Sequence, residues 1–522
     1  MMMDTHSSFV TPLRRAFLPE TLGLLGMLGL LSACHHSTPP PAPAKPISLE
    51  DSVIRVTATI QYPDMQRPWM KKLPFTRAGL GTVIDGGRLL VTADTVAHST
   101  YIELEKPEDG PKGTAVVEAI DQECNLAVLK PVDEAMLQGT HPLSLDESVR
   151  TGSTLQILQL EQNGAAALSP ATVTTVAVMA YPSEGSFYLL YRASTTIPQR
   201  EGSFVIPALH DGKLAGLVMR YDPKTQAADI IPAPLISRFL KESAKPGYRG
   251  LARAGLGWEP VRGATLREWL GARDQHAGVY VTWVKPGGPA EKAGLRKGDL
   301  LLKAGGHEID GEGNYADPVY GKITFNNLAS LESSPGAPLK ISYFRSSGEG
   351  TGTNASTTLH LDGRNPGAEI SPSLLESESP PYLLLGGLLF QELSRPYLYE
   401  WGPNWQHEAP QDLVYLDAFQ DELPRDHGHF VILSTIFPTQ QTIGFQDLAN
   451  RVVKSINGRP IRSLADITEA AKHPEKGFQK IILEGSVGPV YLDTSTLAAE
   501  EQSVRAEYGI PSLPESNPGI QP

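Results

Sequence analysis

Cysteine is almost absent from this chain: its 522 residues include only Cys34 and Cys124. The chain also has no basic run, and its 45 Lys and Arg against 58 Asp and Glu give a formal net charge of −13. An acidic surface of this kind argues against a nucleic-acid partner. The length is too great for one hydrophobic core and suggests about three domains.

Long apolar runs are also missing at the N-terminus. The run at residues 21–31 is too short to span a bilayer and is typical of a signal peptide. It leads into the sequence L-S-A-C, which ends at Cys34 and resembles a bacterial lipobox. In a lipobox the cysteine is lipidated and becomes the new N-terminus; the alternative is an ordinary signal peptide with a chance cysteine. Once Cys34 is lipidated, Cys124 has no partner for an intrachain disulfide. Because neither His35 nor His36 is the aspartate that retains some lipoproteins at the inner membrane, we expect a lipid anchor in the outer membrane of a bacterial cell envelope, on its periplasmic face.

Cofactor and metal sites have no clear pattern in the sequence. The chain shows no phosphate loop and no dinucleotide fingerprint. His427 and His429 are close in sequence, but two ligands without a nearby third are poor evidence for a metal. We therefore predict no cofactor and no metal.

Three short stretches carry a specific pattern. They are Gly79–Asp85 running into Leu89–Val96, then Asp121–Lys130, and then Glu201–Pro207 followed by residues 214–217 and 231–232. In this order and spacing they resemble the trypsin-like domain of the HtrA/Deg family, whose motifs are T-A/N-A-H-V-V, D-L-A-V-L-K and G-N-S-G-G-P. The resemblance implies a trypsin-like double β-barrel with a His-Asp-Ser triad.

The triad positions themselves hold other residues. The histidine position is Thr95, the aspartate position is Asn125 and the serine position is Phe204. Threonine has no basic nitrogen, a neutral amide cannot stabilise an imidazolium as a carboxylate does, and phenylalanine has no nucleophile. The resemblance therefore implies an inactive protease domain. The alternative is an active serine endopeptidase with a displaced site, in which Ser203 is the nucleophile and His98 the base.

Two further motifs lie towards the C-terminus. The sequence A-x-x-A-G-L-x-x-G-D at residues 290–299 resembles a bacterial PDZ domain. A second set of stretches resembles the degenerate second PDZ domain of the longer, plastid-type Deg proteases: residues 383–393, 431–434, 443–447, 452–458 and 507–511. The predicted fold class is mostly β, with a trypsin-like double β-barrel followed by two PDZ-like α+β domains. The predicted segments are a lipoprotein signal peptide at 1–33, a Pro-rich tether at 34–49, a degenerate trypsin-like protease domain at 50–247, PDZ domain 1 at 248–364, a linker at 365–380, PDZ domain 2 at 381–512 and a flexible tail at 513–522.

A PDZ domain adds a peptide as an extra strand and captures its carboxylate with backbone N–H groups. A glycine-rich loop suits that task because it lets the amides point inwards. The predicted peptide-binding residues of PDZ domain 1 are the loop Gly255, Leu256 and Gly257 before Trp258, together with Ile323, Phe325 and Leu328 on a groove helix near 321–331. Those of PDZ domain 2 are Gly387, Leu388 and Leu389 before Phe390. The alternative is that the apolar residues only fill a core.

The sequence thus predicts an envelope lipoprotein whose protease domain is inactive. Its expected partners are polypeptide C-termini or unfolded proteins, in protein quality control or as a scaffold. The resemblance also implies a trimer-based homo-oligomer, which could mix with an active paralogue. A third possibility is a structural oligomer whose PDZ grooves are occupied from within.

Overall fold

The computed structural model of the chain describes residues 48–511, apart from 108–109, 162, 184, 199–205, 274, 276, 349–350, 365–368, 375–378 and 424–427. Cys34, Ser203, Phe204 and His427 lie outside these residues. The described residues belong to one compact unit. In the described part of the chain, every helix is too short or too polar to cross a membrane.

Two closed barrels of six strands each form the N-terminal half. Barrel 1 has the strand order β1-β2-β3-β6-β5-β4, and barrel 2 has the order β10-β11-β12-β9-β8-β7. The strands of barrel 1 are β1 Val53–Ile60, β2 Phe75–Ile84, β3 Arg88–Val91, β4 Ser99–Glu105, β5 Lys112–Asp121 and β6 Leu126–Pro131, with helix α1 Ala93–Val96 after β3. The strands of barrel 2 are β7 Thr154–Leu160, β8 Ala166–Ala180, β9 Phe187–Thr195, β10 Ile206–His210, β11 Lys213–Asp222 and β12 Ala227–Pro232, followed by helix α2 Ala233–Ser243.

Alternating burial explains the barrel strands. Val56, Ala58 and Ile60 of β1 point into barrel 1, while the residues between them are partly exposed. The turn between β2 and β3 uses Gly86 and Gly87, whose φ angles of 83° and 67° suit glycine and a tight hairpin. The expected trypsin-like double barrel is therefore confirmed.

PDZ domain 1 contains a sheet with the order β13-β14-β15-β19-β20, in which β16 pairs with β15, and a separate hairpin β17-β18. Its elements are β13 Leu256–Pro260, α3 Ala264–Trp269, β14 Val279–Val284, α4 Pro289–Lys292, β15 Leu300–Ala304, β16 His307–Glu308, β17 Asn314–Asp317, β18 Gly321–Thr324, α5 Asn326–Ser330, β19 Pro338–Gly348 and β20 Thr351–His360. The helix predicted near 321–331 is thus wrong in its first half, which is strand β18. The β-branched pair Ile323 and Thr324 favours this extended conformation.

PDZ domain 2 contains a sheet with the order β21-β22-β23-β24-β26-β27, and β25 pairs with β24. Its elements are β21 Tyr382–Leu385, β22 Leu388–Glu392, α6 Arg395–Leu398, α7 Trp405–Glu408, α8 Gln411–Ala418, β23 Val431–Ile436, β24 Arg451–Ile456, β25 Arg459–Pro460, α9 Leu464–Ala471, β26 Phe478–Leu483, β27 Val490–Asp493 and α10 Leu497–Tyr508. The fold class predicted from the sequence, mostly β with two PDZ domains after the barrels, is confirmed.

Both PDZ domains pack against the barrels. The core of PDZ domain 1 continues into that of barrel 2, where Tyr191 and Ala193 share one apolar cluster with Tyr315 and Leu328. The loop after β1 reaches PDZ domain 2: Gln391 donates a hydrogen bond from Nε2 to the backbone oxygen of Met65, at 3.0 Å. These contacts join both PDZ domains to the barrels.

Candidate functional site

Helix α1 and the turn before β6 bring two of the three triad positions together. Thr95 lies in α1, and Asn125 ends the turn with a φ of 55°, and both side chains are only 2% exposed. Asn125 accepts a hydrogen bond at Oδ1 from the backbone N–H of Asp94, at 2.9 Å. Thr95 Oγ1 lies 3.0 Å from Thr92 Oγ1. The two positions are therefore neighbours, as in a triad, but they carry an amide and a hydroxyl.

The chemistry of this pair differs from that of a catalytic dyad. Within the described residues, Nδ2 of Asn125 is buried and has no hydrogen-bond acceptor. A buried donor without a partner costs about 1–3 kcal/mol. A carboxylate at this position would accept a hydrogen bond where Nδ2 of Asn125 now lies, whereas the amide nitrogen can only donate one. Neither Thr95 nor Asn125 can accept the proton of a nucleophile at neutral pH.

His98 and Cys124 lie beside this pair. The His98 ring is 5.0 Å from the ring of Tyr62 between centroids, and its φ is 58°. Because Ser203 and Phe204 lie outside the described residues, the predicted displaced pair of Ser203 and His98 stays a prediction. Cys124 belongs to the turn before β6. Burial raises the pKa of its thiol well above the usual value, which keeps it protonated and unreactive.

A cleft of about 190 Å³ is lined by Asn125 and, on either side of Thr95 in sequence, by Asp94 and His98; we call it the triad cleft. Its lining also includes chain segments that are distant in sequence: Ser373 and Leu374 from between the PDZ domains, and Arg395 and Tyr399 from PDZ domain 2. Arg395 is held in place by Asp417, whose Oδ2 lies 3.0 Å from its Nε. The remaining lining residues are Tyr62, Ala93, Ala97, Gln122, Pro182 and Ser183.

Acidic and basic side chains beside the triad cleft join barrel 1 to PDZ domain 1. Glu123 is 6% exposed and forms ion pairs with Arg253 and Arg364. Tyr248 donates a hydrogen bond to Asp121 Oδ2 at 2.5 Å. Burial lowers the pKa of Arg253, and the Asp121 charge opposes that shift. The residues next to Asn125 therefore serve the junction between domains.

PDZ domain 1 has a free strand edge where a peptide could add. In the part of the chain that the structure describes, β13 pairs with β14 and with no second strand. Gly255 precedes it with a φ of 68°, which a side chain would disfavour. Trp258 reaches α5, where its Nε1 donates to Asn326 Oδ1 at 2.9 Å. The predicted loop and the start of α5 are thus neighbours.

The predicted pocket residues of PDZ domain 1 are all deeply buried. Ile323, on β18, is 2% exposed; Phe325, just before α5, and Leu328, within α5, are each 3% exposed. They belong to the apolar cluster against which Leu256 and Trp258 pack. Their peptide-binding role stays a prediction, and their role in the core is evident.

PDZ domain 2 differs at the matching place. The predicted loop lies at the turn between β21 and β22, and β22 pairs with β23 on one side and β21 on the other. Leu388, Leu389 and Phe390 are fully buried. The peptide-binding role predicted for Gly387–Phe390 stays a prediction, and it would require β21 to leave its place.

A larger cleft of about 470 Å³ lies between barrel 2 and PDZ domain 1. Its wall includes Tyr315, whose hydroxyl lies 2.7 Å from both Asp317 Oδ2 and Glu332 Oε1. Burial and these two carboxylates raise the pKa of Tyr315, although Asn327 opposes the shift. Within residues 48–511 as described, no group of three or more His, Cys, Asp or Glu is placed to hold a metal ion.

The sequence pattern did not point to Arg395, Tyr399, Ser373 and Leu374 as parts of the site. These residues lie far along the chain from Asn125, and only the packing of PDZ domain 2 on barrel 1 brings them to the triad cleft. No local motif marks such a contact.

Comparison with known proteins extends these observations. Models of the PDZ domain family match residues 372–516 and residues 280–321. Protease Do-like 2, chloroplastic, from Arabidopsis thaliana is 26% identical over 480 residues, which cover 90% of this chain and 76% of that protein. Putative protease Do-like 3, mitochondrial, from the same plant is 23% identical over 418 residues, which cover 79% of this chain and 70% of that protein.

Solved structures of similar proteins have also been found. One is an HtrA-type protease, AlgWS227A, with a decapeptide: it has a TM-score of 0.47 and 19% identity, and the match covers 61% of this chain and 96% of that one. Another is the serine endoprotease from Yersinia pestis, with a TM-score of 0.40, 16% identity, and coverage of 60% and 95%. The two PDZ matches and the Do-like relatives, which align over most of this sequence, confirm the predicted resemblance of the chain to the HtrA/Deg family.

Proposed function

We propose that this protein is a non-catalytic member of its family that binds polypeptide C-termini or misfolded protein through PDZ domain 1. The observation that carries the proposal is the contrast between two places. The predicted triad positions hold a hydroxyl and an amide where a base and its carboxylate are needed, and residues of PDZ domain 2 line the cleft beside them. The edge of β13, in contrast, has no second strand among the described residues.

Peptide binding at β13 has a clear physical basis. A peptide that adds to a free edge gains backbone hydrogen bonds, and its carboxylate can accept from the amides of the loop at Gly255–Gly257. Hydrogen bonds to a carboxylate are stronger than those between neutral groups. This is why a free C-terminus is the favoured ligand.

The test is a calorimetric titration of the mature chain, from residue 34 with Cys34→Ser, against short apolar C-terminal peptides. Amidation of the peptide removes the charge and should weaken binding by about 1.5–3 kcal/mol if charge-assisted bonds dominate. Equal affinity for the acid and the amide would show that carboxylate capture is not the binding mode.

Absence of proteolysis is the second part of the proposal. We expect no cleavage of unfolded casein by the purified mature chain. The competing function is an endopeptidase that uses Ser203. Cleavage that follows the protein through purification and disappears in Ser203→Ala would establish that competing function.

The cellular setting is also a proposal. The L-S-A-C sequence supports lipidation at Cys34, an anchor at the periplasmic face of the outer membrane, and a role in protein quality control or as a scaffold. One acyl chain alone anchors a protein only marginally, so a firm anchor needs several. Cys34→Ser should release the protein from the membrane fraction, and unchanged membrane association would contradict the lipobox. The resemblance to the HtrA/Deg family further supports a trimer-based assembly, alone or with an active paralogue.

A further inference from the structure

We infer that Trp258 limits the last side chain of a peptide bound to PDZ domain 1 to a small apolar one, the size of alanine or valine. The inference rests on the proposed function, because it concerns a peptide whose C-terminus lies at the loop before β13. It concerns the selectivity of that groove and names the class of partner as polypeptides that end in Ala or Val.

The indole of Trp258 spans the space between β13 and α5. Its Nε1 donates a hydrogen bond to Asn326 Oδ1 at 2.9 Å, and Asn326 is the first residue of α5. Its ring lies 5.3 Å from that of Phe325 between centroids, at an interplanar angle of 43°. A side chain that enters from the edge of β13 towards α5 therefore meets the indole.

The indole of Trp258 is confined at two places by contacts within PDZ domain 1. A methyl group on Gly313 would lie 2.2 Å from Cη2 of Trp258, so the ring already rests on the Gly313 backbone. The hydrogen bond to Asn326 fixes the other end. Moving the ring would break that bond and leave a partly buried donor without an acceptor. A terminal Leu or Phe would have to do this, whereas Ala or Val would not.

The opposite face of the loop is closed as well. A methyl group on Gly257 would lie 2.0 Å from Nε1 of Trp283, the residue that pairs with Gly257 across β13 and β14. The face of β13 at Gly257 is therefore filled by Trp283, and Trp258 lies on the other face of the strand. On that face Leu256 packs against the apolar cluster that contains the buried Leu328. The surroundings of the indole are thus apolar.

The experiment compares peptides that are identical except for the last residue, which is Ala, Val, Leu or Phe. The protein is the mature chain with Cys34→Ser, titrated by calorimetry. The Ala and Val peptides should bind about tenfold or more tightly than the Phe peptide. In Trp258→Leu the indole is removed, so the affinity of the Leu and Phe peptides should rise by about tenfold or more. These peptides should then bind more tightly than the Ala and Val peptides.

Two further variants make the result decisive. Trp269→Leu removes a tryptophan that is 71% exposed on α3, and it should leave the order of affinities unchanged. Asn326→Ala removes the hydrogen bond without enlarging the core, and it should narrow the difference between Val and Phe peptides. If thermal unfolding shows that Trp258→Leu does not fold, Asn326→Ala replaces it as the test of the role of the indole.

The outcomes separate this inference from the proposed function. Binding of the Phe peptide as tightly as the Ala peptide by the unsubstituted protein would overturn the selectivity and leave the peptide-binding function intact. No binding of any of the four peptides would overturn both. Reversal of the order in Trp258→Leu, with no change in Trp269→Leu, would establish Trp258 as the residue that sets the limit.

Discussion

In PDZ domain 1 the sheet ends at β13, whereas in PDZ domain 2 the matching strand β22 is followed by one more strand, β21. From these strands onwards the two sheets share one order, since β13-β14-β15-β19-β20 corresponds to β22-β23-β24-β26-β27. The extra strand is joined to β22 by a tight turn at Gly386, where φ is 61°. One short hairpin therefore separates a free edge from a paired one.

The difference shows how a binding edge can be filled without changing the fold around it. Strand β21 is tethered to β22 by two residues, so its effective concentration at that edge far exceeds that of a peptide in solution. It also adds apolar contacts: Tyr382 and Leu384 share a buried cluster with Leu389 and Val504. A peptide would have to displace all of these contacts in PDZ domain 2, but none of them in PDZ domain 1.

Truncation of one leucine in each domain should separate the two edges most strongly. Leu384, on β21, is 4% exposed, whereas Leu256, on β13, is only partly buried. Leu384→Ala should lower the free energy of unfolding by about 2–4 kcal/mol, as full burial of a leucine implies. Leu256→Ala should lower it by about 1 kcal/mol, because less area is buried. Urea unfolding with hydrogen exchange would measure both, and equal losses would contradict the different roles of the two strands.

A methyl group added to the loop of PDZ domain 1 should have the next largest effect. Gly257→Ala would collide with Trp283 and should cost about 1–3 kcal/mol, the usual range for overpacking. The matched control is Gly263→Ala, since Gly263 has open space and a φ of −85°. It should change stability by no more than about 0.5 kcal/mol. Peptide binding should be lost only in Gly257→Ala, and retained binding there would show that the loop adapts.

Substitution of one aspartate in each domain should have small effects of opposite sign. Burial raises the pKa of Asp310 in PDZ domain 1, but hydrogen bonds from Asn314, Glu312 and Lys322 outweigh it and lower the pKa. Burial raises the pKa of Asp421 in PDZ domain 2, against the opposing charge of Lys285. A lowered pKa means that the carboxylate stabilises the fold above its unfolded pKa of about 3.9, and a raised pKa means the reverse.

The expected result at pH 7 follows from these signs. Asp310→Asn should destabilise the protein and Asp421→Asn should stabilise it, each by less than about 1 kcal/mol because solvent screens both groups. As the pH falls, the advantage of Asp421→Asn should vanish by about pH 3.9, and the loss in Asp310→Asn should shrink below that pH. Thermal unfolding between pH 7 and pH 3 measures both, and effects of the same sign would refute the assignment.

Local patterns were enough to predict the barrels and the PDZ domains. Alternation such as Val56, Ala58 and Ile60 depends only on which face of a strand is buried, and the sequence shows it directly. The helix near 321–331 was predicted too long because apolar residues at Ile323 and Phe325 suit either a strand or a helix. Short apolar runs of this kind cannot be assigned by periodicity alone.

The features that define the site depend on contacts between distant segments. The pairing of β21 with β22 was missed because two glycines fit both a carboxylate-binding loop and a hairpin turn. The presence of Arg395 and Tyr399 in the lining of the triad cleft was missed because nothing near Asn125 in sequence indicates it. The assignment of Thr95 and Asn125 to triad positions stays a prediction from the motif, and the structure places these residues in α1 and in the turn before β6.

The lining of the triad cleft bears on whether the proposed loss of catalysis can be reversed in evolution. Replacing Thr95, Asn125 and Phe204 with the three triad residues would restore the chemical groups, but Arg395 and Tyr399 of PDZ domain 2 would still line the cleft. Arg395 is bound to Asp417, and its neighbours in sequence belong to a buried apolar cluster that also contains Met65 from the loop after β1. Changing this wall of the cleft would therefore mean remodelling a domain interface. The architecture thus adds to the number of changes that would separate the proposed binding protein from a working protease.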